Sequence, residues 1–260
     1  MGVVNVTPDS FSDGGLYQSA RQAITHAMNL IDEGADILDI GGESTRPGSQ
    51  PVSIDEELDR VIPVLEALVN THIPVSIDTS KPEVMRHAIE AGAFMINDVN
   101  ALRSPGALEA VAQNNHVKIC LMHMQGAPRN MQENPQYKNI VSEVKDFLQQ
   151  RIYAAESAGI SQDRLVIDPG FGFGKTLQHN LELLNQLDEF TTFGVPVLAG
   201  LSRKSMLGTI TGNNVHHRIH ESIAAALLAV VKGAKIVRVH DVKASKEALA
   251  VYNAMKHYNL

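Results

Sequence analysis

Tryptophan is absent from this 260-residue chain, and cysteine occurs once, as Cys120 within the apolar run KICLM. A lone thiol allows no internal disulfide and fits a reducing compartment, so the chain reads as cytoplasmic and Cys120 as a small core residue. No apolar run is long enough to span a bilayer, nothing at the start has the pattern of a secretory signal, and no membrane partner is expected. An excess of positive charge is also missing. The 22 Lys and Arg face 29 Asp and Glu, which argues against nucleic acid as a partner but leaves room for a local anion site. No composition break or low-complexity tract divides the chain, so residues 1–260 read as one domain, of a length usual for an α/β barrel.

What is present is a recurring unit. A helical stretch closes on Gly, often Gly-Ala, and a short apolar strand follows that ends in a polar residue. IDEGADILDI, IEAGAFMIND and VKGAKIVRVHD are three copies, and ESAGISQDRLVIDPG is a fourth with a longer link. Gly34, Gly92, Gly159 and Gly233 are expected just past helix ends, where a positive φ is needed. Ser53 with Glu56 and Ser80 with Glu83 have the spacing of helix-start capping boxes. Eight strands are expected, at 3–6, 37–40, 75–78, 94–98, 118–122, 165–168, 197–200 and 235–240, each followed by a helical stretch. Strands alternating with helices imply parallel pairing. Eight such units suggest a (β/α)8 TIM barrel, with an open doubly wound sheet as the runner-up.

In such a barrel all strand ends meet on one face. They are Asn5, Asp39, Asp78, Asn97-Asp98, Met122-His123, Asp168, Gly200-Leu201-Ser202 and Arg238-His240. Carboxylates and amides suit a polar heterocycle. Arg46, Lys204, Arg238 and His240 put cations on the same rim of an acidic protein, which reads as a site for a phosphate-bearing ligand. Asn5 opens the segment NVTPDSFSDGG, where a lone Phe11 sits among turn formers. The rim segments 7–18 and 44–52 have little to bury when empty, so ordering them is expected to cost conformational entropy.

In order along the chain, NVTPDSFSDGG, GGESTRPG, DTSKPEV, IND, LMHMQG, DPGFGFGK, SRKS and RVHDV resemble dihydropteroate synthase, the pterin-binding barrel family of folate synthesis. The resemblance runs over nearly the whole chain. It implies a transferase that joins 7,8-dihydropterin-6-methyl pyrophosphate to p-aminobenzoate, giving dihydropteroate and pyrophosphate. By matching position, Asp78, Asn97, Asp168, Phe173 and Lys204 would bind the pterin, with Asp78 and Lys204 catalytic. Asn5, Thr45, Arg46, Arg238 and His240 would hold the pyrophosphate, and Asn5 would meet a Mg²⁺ through its amide oxygen. Phe11, Thr45, Pro47, Ser202 and Lys204 would form the p-aminobenzoate pocket. The family also implies a homodimer. It has residues before strand one, including a hairpin; here Met1-Gly2 opens directly on the strand, so the barrel bottom is expected to lack that cover.

Two motifs mislead. GFGFGK lacks the spacing of a phosphate loop or a dinucleotide fingerprint. HHRIH, with His216, His217 and His220, has no carboxylate or cysteine beside it and reads as a solvated helix face. His123 ends strand five without a clear role. Two other functions are compatible with a pterin-binding barrel: a corrinoid-linked methyltransferase that uses methyl-folate, and a catalytically silent pterin-binding paralogue. The Phe11 segment and SRKS weigh against the first, and the full set of site residues against the second.

Overall fold

The computed structural model describes residues 1–6, 15–45 and 48–258. Phe11, Arg46 and Pro47, each expected in the site, lie outside the described residues. The first six strands are β1 (Gly2–Asn5), β2 (Leu38–Gly41), β3 (Val75–Asp78), β4 (Met95–Asp98), β5 (Lys118–Met122) and β6 (Leu165–Asp168), and they form one continuous parallel sheet. β7 (Leu198–Ala199) pairs with β8 (Ile236–Val237). Two bridges close the circle. Ile167 pairs with Val197 and its N–H donates to Pro196 O at 3.0 Å, joining β6 to β7. Gly2 pairs with Val239, and Val3 N–H donates to Val239 O at 3.1 Å, joining β8 to β1. The result is a (β/α)8 barrel. The last two strands are shorter than the sequence suggested because ladder pairing there shrinks to two residues plus single bridges.

Helices α1 (Gly15–Asp32), α2 (Ile54–Leu68), α3 (Pro82–Glu90), α4 (Ala107–Ala112), α5 (Ile140–Ser157), α6 (Leu177–Asn185), α7 (Ser205–Thr211), α8 (Ile219–Val231) and α9 (Val242–Tyr258) follow the strands. Gly34, Gly92, Gly159 and Gly233 all have positive φ, between 86° and 102°, as the turns after helices require. Ser53 caps α2, accepting from Glu56 N–H at 3.1 Å, although the Glu56 carboxylate turns to Arg60 instead of closing a capping box. The cap expected at Ser80 does not form. Pro82 occupies the first helical position and forces the preceding Lys81 into extended backbone, so Lys81 is the cap residue. α1 begins at Gly15, so the end of the 7–18 segment is helical.

Alternation along the strands sorts the core into two layers. Val4, Leu38, Ile40, Ile77, Ile96, Ile119, Leu121, Leu165 and Ile167 face outward and join the helices in the large core. Met1, Met95, Cys120, Val166 and Leu198 form a separate cluster in the lower barrel interior. Nearer the C-terminal strand ends the inward side chains include the polar Asn5, Asp78, Asn97 and Asp168.

Candidate active site

Strand register puts the polar ends side by side. Asn5 pairs with Gly41, Gly41 with Asp78, and Asp78 with Asn97. Gly41 leaves the space between its neighbours open: a Cβ there would lie 3.7 Å from Asp78 Cβ and 4.0 Å from Asn5 Oδ1. Asp78, Asn97 and Asp168 are buried, and Asn5 is half-buried.

Arg238, from the end of β8, reaches across the barrel mouth. Its Nε donates to Asp39 Oδ2 at 2.5 Å and its Nη2 to Asp78 Oδ2 at 2.9 Å. Asp39 is fully buried, and the same Oδ2 accepts from Asn97 Nδ2 at 3.2 Å. Asp39 Oδ1 has no hydrogen-bond partner among the described residues. Asp39 therefore ties Asn97 to Arg238. It was visible as a strand end in the sequence but was not assigned to the site. Burial works against the Arg238 charge, yet Asp39 and Asp78 outweigh it and hold the guanidinium protonated above its ordinary range. Burial pushes Asp78 up to about 7 against the pull of Arg238, with Asp39, Glu57 and Asp98 adding to the rise.

Asp168 sits opposite. Its Oδ1 accepts from Gly170 N–H at 2.7 Å, while its Oδ2 and Lys204 Nζ both face the space above Gly200. Burial raises the Asp168 carboxyl, and the nearby Lys204 opposes that rise. Burial lowers Lys204 to about 8, with Asp168 opposing. Lys204 Nζ lies 4.7 Å from the Phe173 ring centroid and donates to Phe171 O. A Cβ on Gly172 would meet Lys204 Cδ at 3.1 Å.

The SRKS turn places Lys204. Arg203 adopts φ 58°, an unusual conformation for a non-glycine residue that costs roughly 1–3 kcal/mol. Its surroundings hold it there. The Arg203 guanidinium bonds Asp241 at 3.0 and 2.6 Å, its N–H donates to Ser222 Oγ, and its carbonyl accepts from Arg218. Ser202 Oγ lies 3.0 Å from His240 Nδ1 and accepts from His240 N–H at 3.2 Å. These two residues, expected to serve different substrates, meet each other. Thr45 is half-buried in the segment after β2, whose base is held by Lys81 bonding both Glu43 and Glu57. His216, His217 and His220 are exposed.

The glycines of GFGFGK allow a close backbone approach. A Cβ on Gly170 would lie 1.8 Å from His123 O, and one on Gly174 would lie 2.4 Å from Gln125 O. They let this loop rest on the backbone after β5. Lys175 and His123, both buried, were absent from the expected site, and nothing in their local sequence pattern signalled a role.

Residues 1–240 match the family described as Pterin binding enzyme. The chain belongs to this family, among the dihydropteroate synthases. It is 51% identical over 255 residues to the dihydropteroate synthase of Escherichia coli (strain K12), a match that covers 98% of this chain and 90% of that protein. The fold superposes on Xanthomonas albilineans dihydropteroate synthase with 4-aminobenzoic acid at a TM-score of 0.93 and 55% identity, covering 98% of this chain and 92% of that one. The same enzyme in complex with 7,8-dihydropteroate gives a TM-score of 0.89 at 52% identity, with the same coverage. Pterin-binding enzymes of this kind are transferases, and the barrel mouth pairs carboxylates with cations on both sides, Asp168 beside Lys204 and Asp39 with Asp78 beside Arg238.

Proposed function

We infer that the chain condenses 7,8-dihydropterin-6-methyl pyrophosphate with p-aminobenzoate, releasing pyrophosphate and 7,8-dihydropteroate. The observation that carries this reading is the gathering of paired carboxylates and cations at the barrel mouth. Asp168 with Lys204 flanks one side, Asp39 with Arg238 and Asp78 the other, and Asn97 lies between.

The pterin's N3–H and 2-amino group donate to Asp168, with Asn97 on the adjacent edge. Phe173 covers a ring face, and Lys204 meets the carbonyl and N5. Departure of pyrophosphate leaves positive charge on the pterin methylene, delocalised over the ring. Asp78, ionised, stabilises that charge where it develops. The aniline nitrogen of p-aminobenzoate forms the new C–N bond and loses a proton; neutral at pH 7, it needs no strong base. Arg238, His240 and Asn5 hold the leaving group, together with Thr45 and Arg46. Phe11, Pro47 and Ser202 complete the p-aminobenzoate pocket.

Mg²⁺ fits the donor set. The groups flanking Gly41 offer oxygen, which this hard ion prefers, and it commonly takes few protein ligands beside substrate phosphates. Asn5 Oδ1 would hold it, and when bound it would neutralise charge on the leaving diphosphate. The corrinoid-linked and silent readings gain no support from this geometry. Incubating the purified chain with both substrates and Mg²⁺ tests the reading. Dihydropteroate and pyrophosphate in equal amounts are expected, and pterin binding without product would mark a silent paralogue.

A cytoplasmic homodimer completes the proposal. Among the described residues, Leu228 and Val231 on α8 and Val251 and Met255 on α9 are exposed apolar side chains on helices that pack against each other. Sedimentation equilibrium is expected to give twice the chain mass, and Leu228→Glu with Val231→Glu is expected to give single chains.

A further inference from the structure

The loop after β6 has no regular structure, yet four consecutive carbonyls are each bound by a side chain. Phe171 O accepts from Lys204, and Gly172 O from Gln132. Phe173 O accepts from Lys175 Nζ at 3.0 Å, and Gly174 O from the Tyr137 hydroxyl at 2.8 Å. Three of these donors, from the segments after β5 and β7, lie outside the loop. Gly172 N–H adds a bond to Asn180 Oδ1 at 2.7 Å.

Lys175 is the most enclosed of the four donors, at 3% exposure. Besides Phe173 O, its Nζ lies 2.9 Å from His123 Nδ1 and 3.4 Å from His123 O. Three acceptors thus surround the Lys175 amine. His123 is buried too, and burial, helped by Lys175, lowers it to about 2. The ring is therefore neutral, with Nδ1 available as an acceptor. Burial also pulls Lys175 down, and Asp168 opposes this. His123 is braced by an edge contact with Phe147, ring centroids 4.9 Å apart, and by Tyr137 at 6.1 Å. The proposed mechanism uses neither Lys175 nor His123, and a solvated lysine would cost far less than one placed here.

We propose that Lys175 and His123 are positioning residues. They form a buried cross-link between the segments after β5 and β6 that fixes the Phe173 ring over the pterin subsite and the Phe171 carbonyl against the Lys204 amine. The link acts on the reacting groups through the loop and touches no substrate. It rests on the reading of the site given above for the identity of the substrates.

Three variants separate this role from simple packing. His123→Phe keeps the ring contacts and removes the Nδ1 acceptor. His123→Asn gives up the ring but keeps an acceptor near the same place. Lys175→Met removes the donor. Steady-state kinetics in both substrates are run beside thermal melts, with wild-type turnover measured first. Loss of near-attack geometry is expected to lower kcat about tenfold or more in His123→Phe and Lys175→Met, with a smaller change in KM for the pterin substrate, while His123→Asn stays within about threefold of wild type. Wild-type kcat in His123→Phe overturns the cross-link, whatever its melting temperature. Equal loss in His123→Phe and His123→Asn also overturns it, because the acceptor would then be irrelevant. If Lys175→Met fails to fold, the His123 pair decides alone. Absence of product from the wild type would instead refute the substrate reading, a result distinct from any difference among the variants.

Discussion

The same barrel interior has two halves that follow opposite rules. In the lower half, Met1, Met95, Cys120, Val166 and Leu198 fill the space with apolar atoms. Toward the C-terminal strand ends, Asn5, Asp78, Asn97 and Asp168 crowd charges and amides, joined by Asp39 and Arg238. Burial makes Cys120 inert below by raising its thiol well above its ordinary range, and above it brings Asp78 near neutrality. A buried charge is tolerated only where it is paired and hydrogen-bonded. The lower half contributes stability, and the upper half gives some of it up to gather the polar groups to which the proposed function assigns the pterin and the diphosphate.

The sharpest way to break this division is Lys204→Met. The variant keeps the aliphatic stem and loses the amine between Asp168 and Phe173. Turnover is expected to fall about 10²–10³-fold while the melting temperature stays near wild type. A variant with wild-type rate would remove Lys204 from the site.

Next in size is the coupling between substrates. The sequence of the rim segments 7–18 and 44–52 leads us to expect that ordering them costs roughly 1–2 kcal/mol per residue, more than a small aromatic acid alone can offset. p-Aminobenzoate is therefore expected to bind about tenfold or more tightly once pyrophosphate, Mg²⁺ and a pterin are present, and by linkage to tighten pyrophosphate by the same factor. Calorimetric titrations with and without pyrophosphate measure this. Equal affinities would show a pocket formed before any substrate arrives.

The pH dependence sharpens the comparison least but most cheaply. In the proposed mechanism Asp78 acts ionised, and burial holds it near 7; Lys204 acts protonated, and burial holds it near 8. The profile of kcat/KM for the pterin substrate is expected to rise through about pH 7 and fall above about pH 8, changing about tenfold per pH unit on each limb. Asp78→Asn is expected to lose the rising limb along with most of the activity.

The upper half was largely legible in the sequence because a strand end is a local feature. Asp78, Asn97, Asp168 and Arg238 each close a short apolar run, Lys204 follows three residues after one, and a parallel barrel gathers such ends on one face. What the sequence hid were partnerships. That Asp39 holds both Asn97 and Arg238 depends on contacts made across the barrel mouth. That Lys175 meets His123, 52 positions away, depends on the GFGFGK glycines settling onto the backbone after β5. The cap at Ser80 was misread because the Pro82 constraint outweighs the serine's preference. Phe11, Arg46 and Pro47 lie outside the described residues, so their roles rest on resemblance.

The division between the two halves is tested most directly by measuring pterin affinity and unfolding free energy together on Asp168→Asn and Leu198→Ala. Asp168→Asn turns an acceptor facing the pterin N–H groups into a donor and is expected to cost about 1–3 kcal/mol of pterin binding, with little loss of stability. Leu198→Ala leaves a cavity in the lower interior and is expected to cost about 2–5 kcal/mol of stability, with pterin affinity unchanged. If Asp168→Asn bound pterin as tightly as wild type, or if Leu198→Ala weakened binding as much as it weakened the fold, the two halves would not be separate in function and the account would be wrong.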